Sequence, residues 1–132
     1  MGNRVSQIYD DALALRDSGT AITSTTSETG VAFPVRHIGG YKAVIQYNGM
    51  DFTTGDESYV FSIEVSDAVD GTYTAIATMP DIGSATPSGR LDIPLSGKIA
   101  EELDADSAFI RVNATLDGTS PSIDYYCYLT KM

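Results

Sequence analysis

Residues 59–66, with the sequence YVFSIEVS, decide the fold class of this 132-residue chain. Positions 59, 61, 63 and 65 are aromatic or aliphatic, whereas Ser62, Glu64 and Ser66 are polar. Successive side chains of a β-strand point to opposite faces, so this alternation predicts a strand with one face in a core and the other in water.

The same alternation recurs along most of the chain. It predicts further strands at residues 12–16, 19–23, 30–33, 41–47, 73–79, 90–95, 110–116 and 123–129. Pro94 cannot donate a backbone hydrogen bond, so the strand that contains it is expected either to lie at an edge of its sheet or to end near Pro94. Only residues 97–104 (GKIAEELD) favour a helix, and that segment is long enough for a short turn in a connection.

The breaks between these strands carry turn residues that tolerate positive φ, among them Asn48-Gly49, Asp70-Gly71 and Asp117-Gly118. We therefore expect antiparallel hairpins. About eight to nine short strands without long helices predict an all-β, antiparallel jelly roll or β-sandwich, preceded by an extended N-terminal arm at residues 1–9. At 132 residues the chain is expected to form a single domain.

The chain carries a formal net charge of −10, which argues against nucleic acid or an anionic membrane as partners. The first residues, MGNRVSQIYDD, lack the apolar segment of a secretion signal, and the single cysteine allows no internal disulfide. These features predict an intracellular product.

The sequence offers few residues in patterns that are typical of catalytic sites. His37 is the only histidine, and no serine lies in a G-x-S-x-G motif. Cys127 alternates with apolar residues of the last strand, which predicts a buried structural thiol. Asp67, Asp70, Asp104 and Asp106 lie in predicted loops but lack the spacing of a calcium loop. We therefore predict a protein that is not an enzyme and has no metal or cofactor.

Two groups of residues are candidates for protein contacts. Tyr126 and Tyr128 share the face of the last strand opposite Cys127, where they form either a subunit interface or a second buried face. The N-terminal arm supplies the other candidates, which are Arg4, Val5, Ile8 and Tyr9.

Three segments resemble the jelly-roll capsid cement proteins of tailed bacteriophages, the group that includes the Bordetella phage cement protein. Residues 8–33 (IYDDALALRDSGTAITSTTSETGVAF) are similar to the opening of those proteins, and residues 109–129 (FIRVNATLDGTSPSIDYYCYL) to their closing hairpin. Residues 61–82 (FSIEVSDAVDGTYTAIATMPDI) look like a strand, turn and strand unit common in phage structural proteins.

The resemblance implies a structural protein that is made in the bacterial host cytoplasm and binds the outer surface of an assembled capsid. It would bridge neighbouring copies of the major capsid protein and stabilise the shell, and capsid symmetry leads us to expect a dimer or a trimer. The arm would contact the capsid, and the tyrosine pair would join the subunits.

The residues are also compatible with two other functions. The acidic loops and eight tyrosines also suit a carbohydrate- or receptor-binding module of a phage tail or fibre, although the chain has no tryptophan. A small hydrolase with paired carboxylates would require a concave pocket that holds a carboxylate of raised pKa.

Overall fold

A computed structural model describes residues 14–33, 40–82 and 88–131 of the chain. These residues form nine strands and one helix. The strands are β1 (Ala14–Arg16), β2 (Thr26–Ser27), β3 (Val31–Ala32), β4 (Gly40–Asn48), β5 (Ser58–Ser66), β6 (Thr74–Thr78), β7 (Gly89–Ser96), β8 (Phe109–Asp117) and β9 (Asp124–Lys131), and the helix α1 (Gly97–Leu103) follows β7.

The strands form two antiparallel sheets. The first has the order β1-β9-β4-β7, and the second has the order β2-β8-β5-β6 with β3 also paired to β8. If β2 and β3 are counted as two halves of one strand, the first strand pairs with the last, the second with the second to last, and so on inward. This nested pairing is that of a jelly roll, so the all-β, antiparallel prediction is confirmed.

The prediction of hairpins holds at only one of the three glycine turns. Asp70-Gly71 joins β5 to β6, which are neighbours in one sheet. Gly49 and Gly118 do adopt positive φ, but the turns that contain them lead from one sheet to the other, between β4 and β5 and between β8 and β9. Residues 109–129 therefore do not form a closing hairpin. The turn after β8 reverses the direction of the chain, but β9 pairs within the first sheet while β8 pairs within the second.

Residues 19–23 also differ from the prediction. They contribute a single bridge between Ile22 and Ile123 instead of a strand, and the chain pairs again only at β2. Gly19 has a φ of 141°, and the Thr20 carbonyl accepts a hydrogen bond from the Arg16 guanidinium. A side chain thus occupies an acceptor that a regular ladder would need.

The core lies between the two sheets and follows the alternation of the sequence. In β5 and β8 the inward side chains are almost completely buried; they are Tyr59, Phe61, Ile63, Val65, Ile110, Val112, Ala114 and Leu116. The ring of Phe61 packs against Tyr125 of β9 with 4.9 Å between ring centroids, which couples the second sheet to the first. Close contact of this kind makes the two sheets one packed unit.

The hydroxyl of Tyr59 ties together the two loops that cross between the sheets. It accepts hydrogen bonds from the backbone N–H groups of Asp51 and Ser122, at 3.1 and 3.0 Å. It lies 2.6 Å from the Asp51 carbonyl, to which it donates. One buried side chain therefore satisfies backbone groups of both crossings at the same end of the sandwich.

The strand β7 is an edge of the first sheet, as Pro94 predicted. The helix α1 follows it directly, and its N-terminus is capped by the Ser96 hydroxyl, which accepts from the Ile99 N–H at 3.5 Å. Gly97 and Ala100 are the buried residues of the helix. The predicted short helix at residues 97–104 is therefore confirmed within one residue.

Candidate functional site

Tyr126 and Tyr128 lie on the outer face of the first sheet, the face turned away from the core. Their rings are stacked, with centroids 6.0 Å apart and planes inclined by 14°. Tyr128 is only 7% exposed in the single chain, whereas Tyr126 is partly buried. Val44, which pairs with Tyr128 on β4, is completely buried. The outer face is thus covered within one chain at Val44 and Tyr128, and a subunit contact through the tyrosine pair stays a prediction.

A groove of about 530 Å³ opens beside this pair, at the end of the sheet where β4 ends and β7 and β9 begin. We refer to it as the outer-face groove. Its lining includes Ser18, Gln46, Asn48, Arg90, Asp124 and Tyr126. Gln46 pairs with both Arg90 and Tyr126 across the sheet, so three adjacent strands bring one side chain each to the groove.

A buried arginine fixes one wall of the outer-face groove. Arg16 donates from Nη1 to the Asp124 carboxylate at 3.0 Å and to the backbone carbonyl of Tyr125, and its guanidinium carbon lies 4.4 Å from the centroid of the Tyr125 ring. Its Nε lies 3.5 Å from the Glu28 carboxylate. The N–H of Gly19 donates to Asp124 at 2.9 Å. These contacts place the Asp124 carboxylate at a defined position beside the groove.

The same contacts keep Asp124 ionised. Burial alone would raise the pKa of Asp124, but the hydrogen bonds from Arg16 and the Gly19 N–H outweigh it and lower that pKa below its ordinary value. The groove therefore carries one fixed carboxylate at neutral pH.

A second surface surrounds α1. Ile99 and Leu103 are 46% and 51% exposed, the two highest values among the large apolar side chains of the described residues. Ile99 lines a cleft of about 240 Å³ together with Ile76 of β6 and Pro94 of β7. We define the α1 patch as Ile76, Pro94, Ile99 and Leu103.

The α1 patch was not predicted from the sequence. In the segment GKIAEEL, residues 99 and 103 are one helical turn apart and apolar, which normally indicates the face that packs against a core. In the structure the small residues Gly97 and Ala100 pack inward instead. Ala100 was the residue that could have indicated this arrangement. Only a small residue lets a short helix lie close to the sheets, and the larger apolar side chains of that helix then face outward.

The residues considered for catalysis and metal binding show no assembled site in the described ranges. Cys127 is fully buried, and burial raises the pKa of its thiol, so it is not available as a thiolate near neutral pH. Across residues 14–33, 40–82 and 88–131, no three His, Cys, Asp or Glu side chains converge to hold a metal ion. His37 lies outside the described residues.

The N-terminal candidates Arg4, Val5, Ile8 and Tyr9 also lie outside the described residues. Within the described part of the chain, no helix is long and apolar enough to cross a membrane.

Comparison with known proteins finds no family model that matches this chain and no curated protein with a significant match.

Proposed function

We propose that this protein is a capsid cement protein, a non-enzymatic component of a phage virion that binds the outer surface of the assembled shell and bridges neighbouring major capsid proteins. The resemblance of residues 8–33 and 61–82 to such proteins supports the proposal. The jelly roll supports it as well, because the architecture is frequent among viral capsid domains, although it also occurs in lectins.

The observation that carries the proposal is the α1 patch. Two large apolar side chains, Ile99 and Leu103, are about half exposed on a chain that is otherwise strongly acidic. Exposed apolar residues beside a cleft, with charged residues around them, are typical of protein-binding surfaces. Lys98, Glu101 and Glu102 provide such a polar rim on the same helix.

The stabilising effect would follow from mass action. A protein that binds the assembled lattice and not its free subunits lowers the free energy of the lattice. Each copy that contacts two subunits also raises their effective concentration for one another, so modest individual contacts are sufficient. A symmetric dimer or trimer would match the symmetry of the shell.

The test is co-sedimentation of the purified protein with mature capsids of the phage whose genome encodes it. The double variant Ile99→Ser with Leu103→Ser should bind these capsids at least about ten-fold more weakly, because two apolar side chains no longer leave water on docking. Unassembled capsid protein and unrelated capsids should not bind the wild-type protein.

A matched control lies on the same helix. Lys98 and Glu102 are exposed and have the same spacing as Ile99 and Leu103. The variant Lys98→Ser with Glu102→Ser leaves the net charge unchanged and should weaken capsid binding by less than about two-fold, because solvent-exposed rim charges contribute little affinity. Failure of the wild-type protein to bind its own capsids would refute the cement role, whereas equal binding by both double variants would refute only the α1 patch as the contact.

A further inference from the structure

We propose that Asn48 is a site of spontaneous deamidation and that the Ser88 hydroxyl promotes the reaction by relaying a proton. The inference does not depend on the cement role, because it rests on three residues at one end of the first sheet. They are Asn48 at the end of β4, Gly49 in the turn that follows, and Ser88 directly before β7.

The pairing of the strands brings Ser88 to the Asn48-Gly49 dipeptide. The ladder between β4 and β7 ends with Tyr47 opposite Gly89, so the next residues outward, Asn48 and Ser88, also face each other. The Ser88 hydroxyl donates a hydrogen bond to the Asn48 amide oxygen at 2.8 Å. The same hydroxyl accepts one from the Gly49 backbone N–H at 3.2 Å. One side chain, which can donate and accept at the same time, therefore contacts both groups that react in deamidation.

The first step is attack of the Gly49 backbone nitrogen on Cγ of Asn48. The new N–Cγ bond closes a five-membered ring, and negative charge develops on the amide oxygen. Ser88 donates its hydroxyl proton to that oxygen while its Oγ accepts the proton of the Gly49 nitrogen, so Ser88 is unchanged after the step. The relay lowers the barrier because neither a free amide anion nor an uncompensated oxyanion has to form.

The second step is the loss of ammonia. The Cγ–Nδ2 bond of Asn48 breaks, and the departing nitrogen takes the proton of the newly formed hydroxyl group, so that a succinimide remains. One water molecule then hydrolyses either carbonyl group of this ring and leaves aspartate or isoaspartate at position 48. In sum, an amide and a water molecule give a carboxylic acid and ammonia, and the reaction needs no oxidant or reductant.

The local structure permits ring closure at Asn48. Attack requires the peptide between Asn48 and Gly49 to rotate, and a Cβ atom at Gly49 would meet no atom within 4 Å, so the turn has room for this movement. Asn48 is exposed and is the last residue of β4. Asn113, in contrast, lies inside β8 between β5 and β2 and is followed by Ala114. We therefore expect Asn48 to react and Asn113 to stay intact.

The reaction changes the charge of the outer face. Asn48 lies opposite Asp124 on the neighbouring strand, and like charges at such positions destabilise a sheet. Asp124 is held by Arg16 and by the Gly19 N–H, so it cannot turn away without losing these hydrogen bonds. Deamidation adds a second carboxylate beside this fixed one. Aged protein should therefore unfold at a lower urea concentration than freshly prepared protein.

The experiment follows deamidation by peptide mass spectrometry while the folded full chain is incubated at neutral pH, with fragmentation that distinguishes isoaspartate from aspartate. The expected result is conversion at Asn48 and none at Asn113 over the same period. Ser88→Ala should slow the conversion of Asn48 at least about five-fold, because the relay is lost. Ser88→Thr keeps the hydroxyl group and should convert at a rate close to that of the wild type.

The unfolded chain provides the matched control. Ser88 lies 40 residues from Asn48 in sequence, so the relay exists only in the folded protein. In concentrated guanidinium chloride, the wild type and Ser88→Ala should therefore convert at the same rate. The proposal would be overturned if Asn48 did not convert in the folded wild type, or if folded Ser88→Ala converted as fast as the wild type or faster.

Discussion

Arg16 shows how one side chain can set the geometry of a distant surface. It ends β1, yet it contacts Asp124 and Tyr125, which lie more than 100 residues further along the chain. The pairing of β1 with β9 contains an irregularity between Ala14 and Arg16, and Leu15 and Arg16 are both buried. The local alternation of residues 12–16 predicted the strand but could not predict this shift, because the partners that bury the guanidinium are remote in sequence.

The pair of Arg16 and Asp124 should make stability depend on pH. The folded-state pKa of Asp124 is lowered, so its contribution is complete above the unfolded pKa of about 3.9 and is lost as the pH falls through the folded value. We expect Asp124→Asn to reduce the free energy of unfolding by about 1–2 kcal/mol at pH 7, because it leaves a buried guanidinium with one charged partner fewer.

Urea unfolding at a series of pH values measures this effect. The difference between the wild type and Asp124→Asn should be constant from about pH 7 to pH 5 and should shrink below about pH 4. Asp117→Asn removes the same charge at an exposed position and serves as the control. A difference that grows as the pH falls would contradict the assignment.

At the scale of the elements, sequence predicts strands better than it predicts their partners. Residues 59–66 and 110–116 were recognisable because burial follows a two-residue period that is visible locally. The dipeptides Asn48-Gly49 and Asp117-Gly118 indicate reversals of the chain direction. The residues around them do not indicate that the next strand joins the opposite sheet. The outer-face groove was unpredictable for the same reason, since Gln46 and Asp124 meet only through the pairing of β4 with β9.

The loop from β8 to β9 depends on glycine at position 118 for two separate reasons. Gly118 has a φ of 106°, and a Cβ atom there would lie 2.6 Å from the Asp56 carbonyl oxygen and from the Glu57 Cα. Both are backbone atoms of the other crossing loop, so neither can move aside cheaply. We expect Gly118→Ala to reduce the free energy of unfolding by about 3 kcal/mol or more, because backbone strain and a steric clash add.

Gly49→Ala is the matched control for this prediction. Gly49 also has a positive φ, of 67°, but a Cβ atom there would meet no atom within 4 Å. Its substitution should cost only the strain of the left-handed conformation, about 1–2 kcal/mol. Thermal or urea unfolding compares the two variants, and equal losses would show that the close approach to the other loop contributes nothing.

At the scale of the whole molecule, the sandwich and the N-terminal arm should be separable. Leu15 is the first core residue in the described part of the chain, and the core residues after it come from strands of both sheets, so we expect a chain without residues 1–9 to keep its β-sheet circular dichroism spectrum and its cooperative unfolding. If Arg4, Val5, Ile8 and Tyr9 contact the capsid, the truncated protein should no longer co-sediment with it. Unchanged occupancy of the capsids by the truncated protein would refute the role of the arm.

The nested strand pairing has a consequence for the synthesis of the protein. The strand β9 lies inside its sheet, between β1 and β4, although it is synthesised after all the other described strands. Until β9 leaves the ribosome, β1 lacks its partner and one edge of β4 stays open. Contacts between residues so far apart in sequence slow folding, and unpaired edges invite association with other chains. The nascent chain therefore depends on timely completion, and ribosomes that stall before residue 124 would release an aggregation-prone fragment.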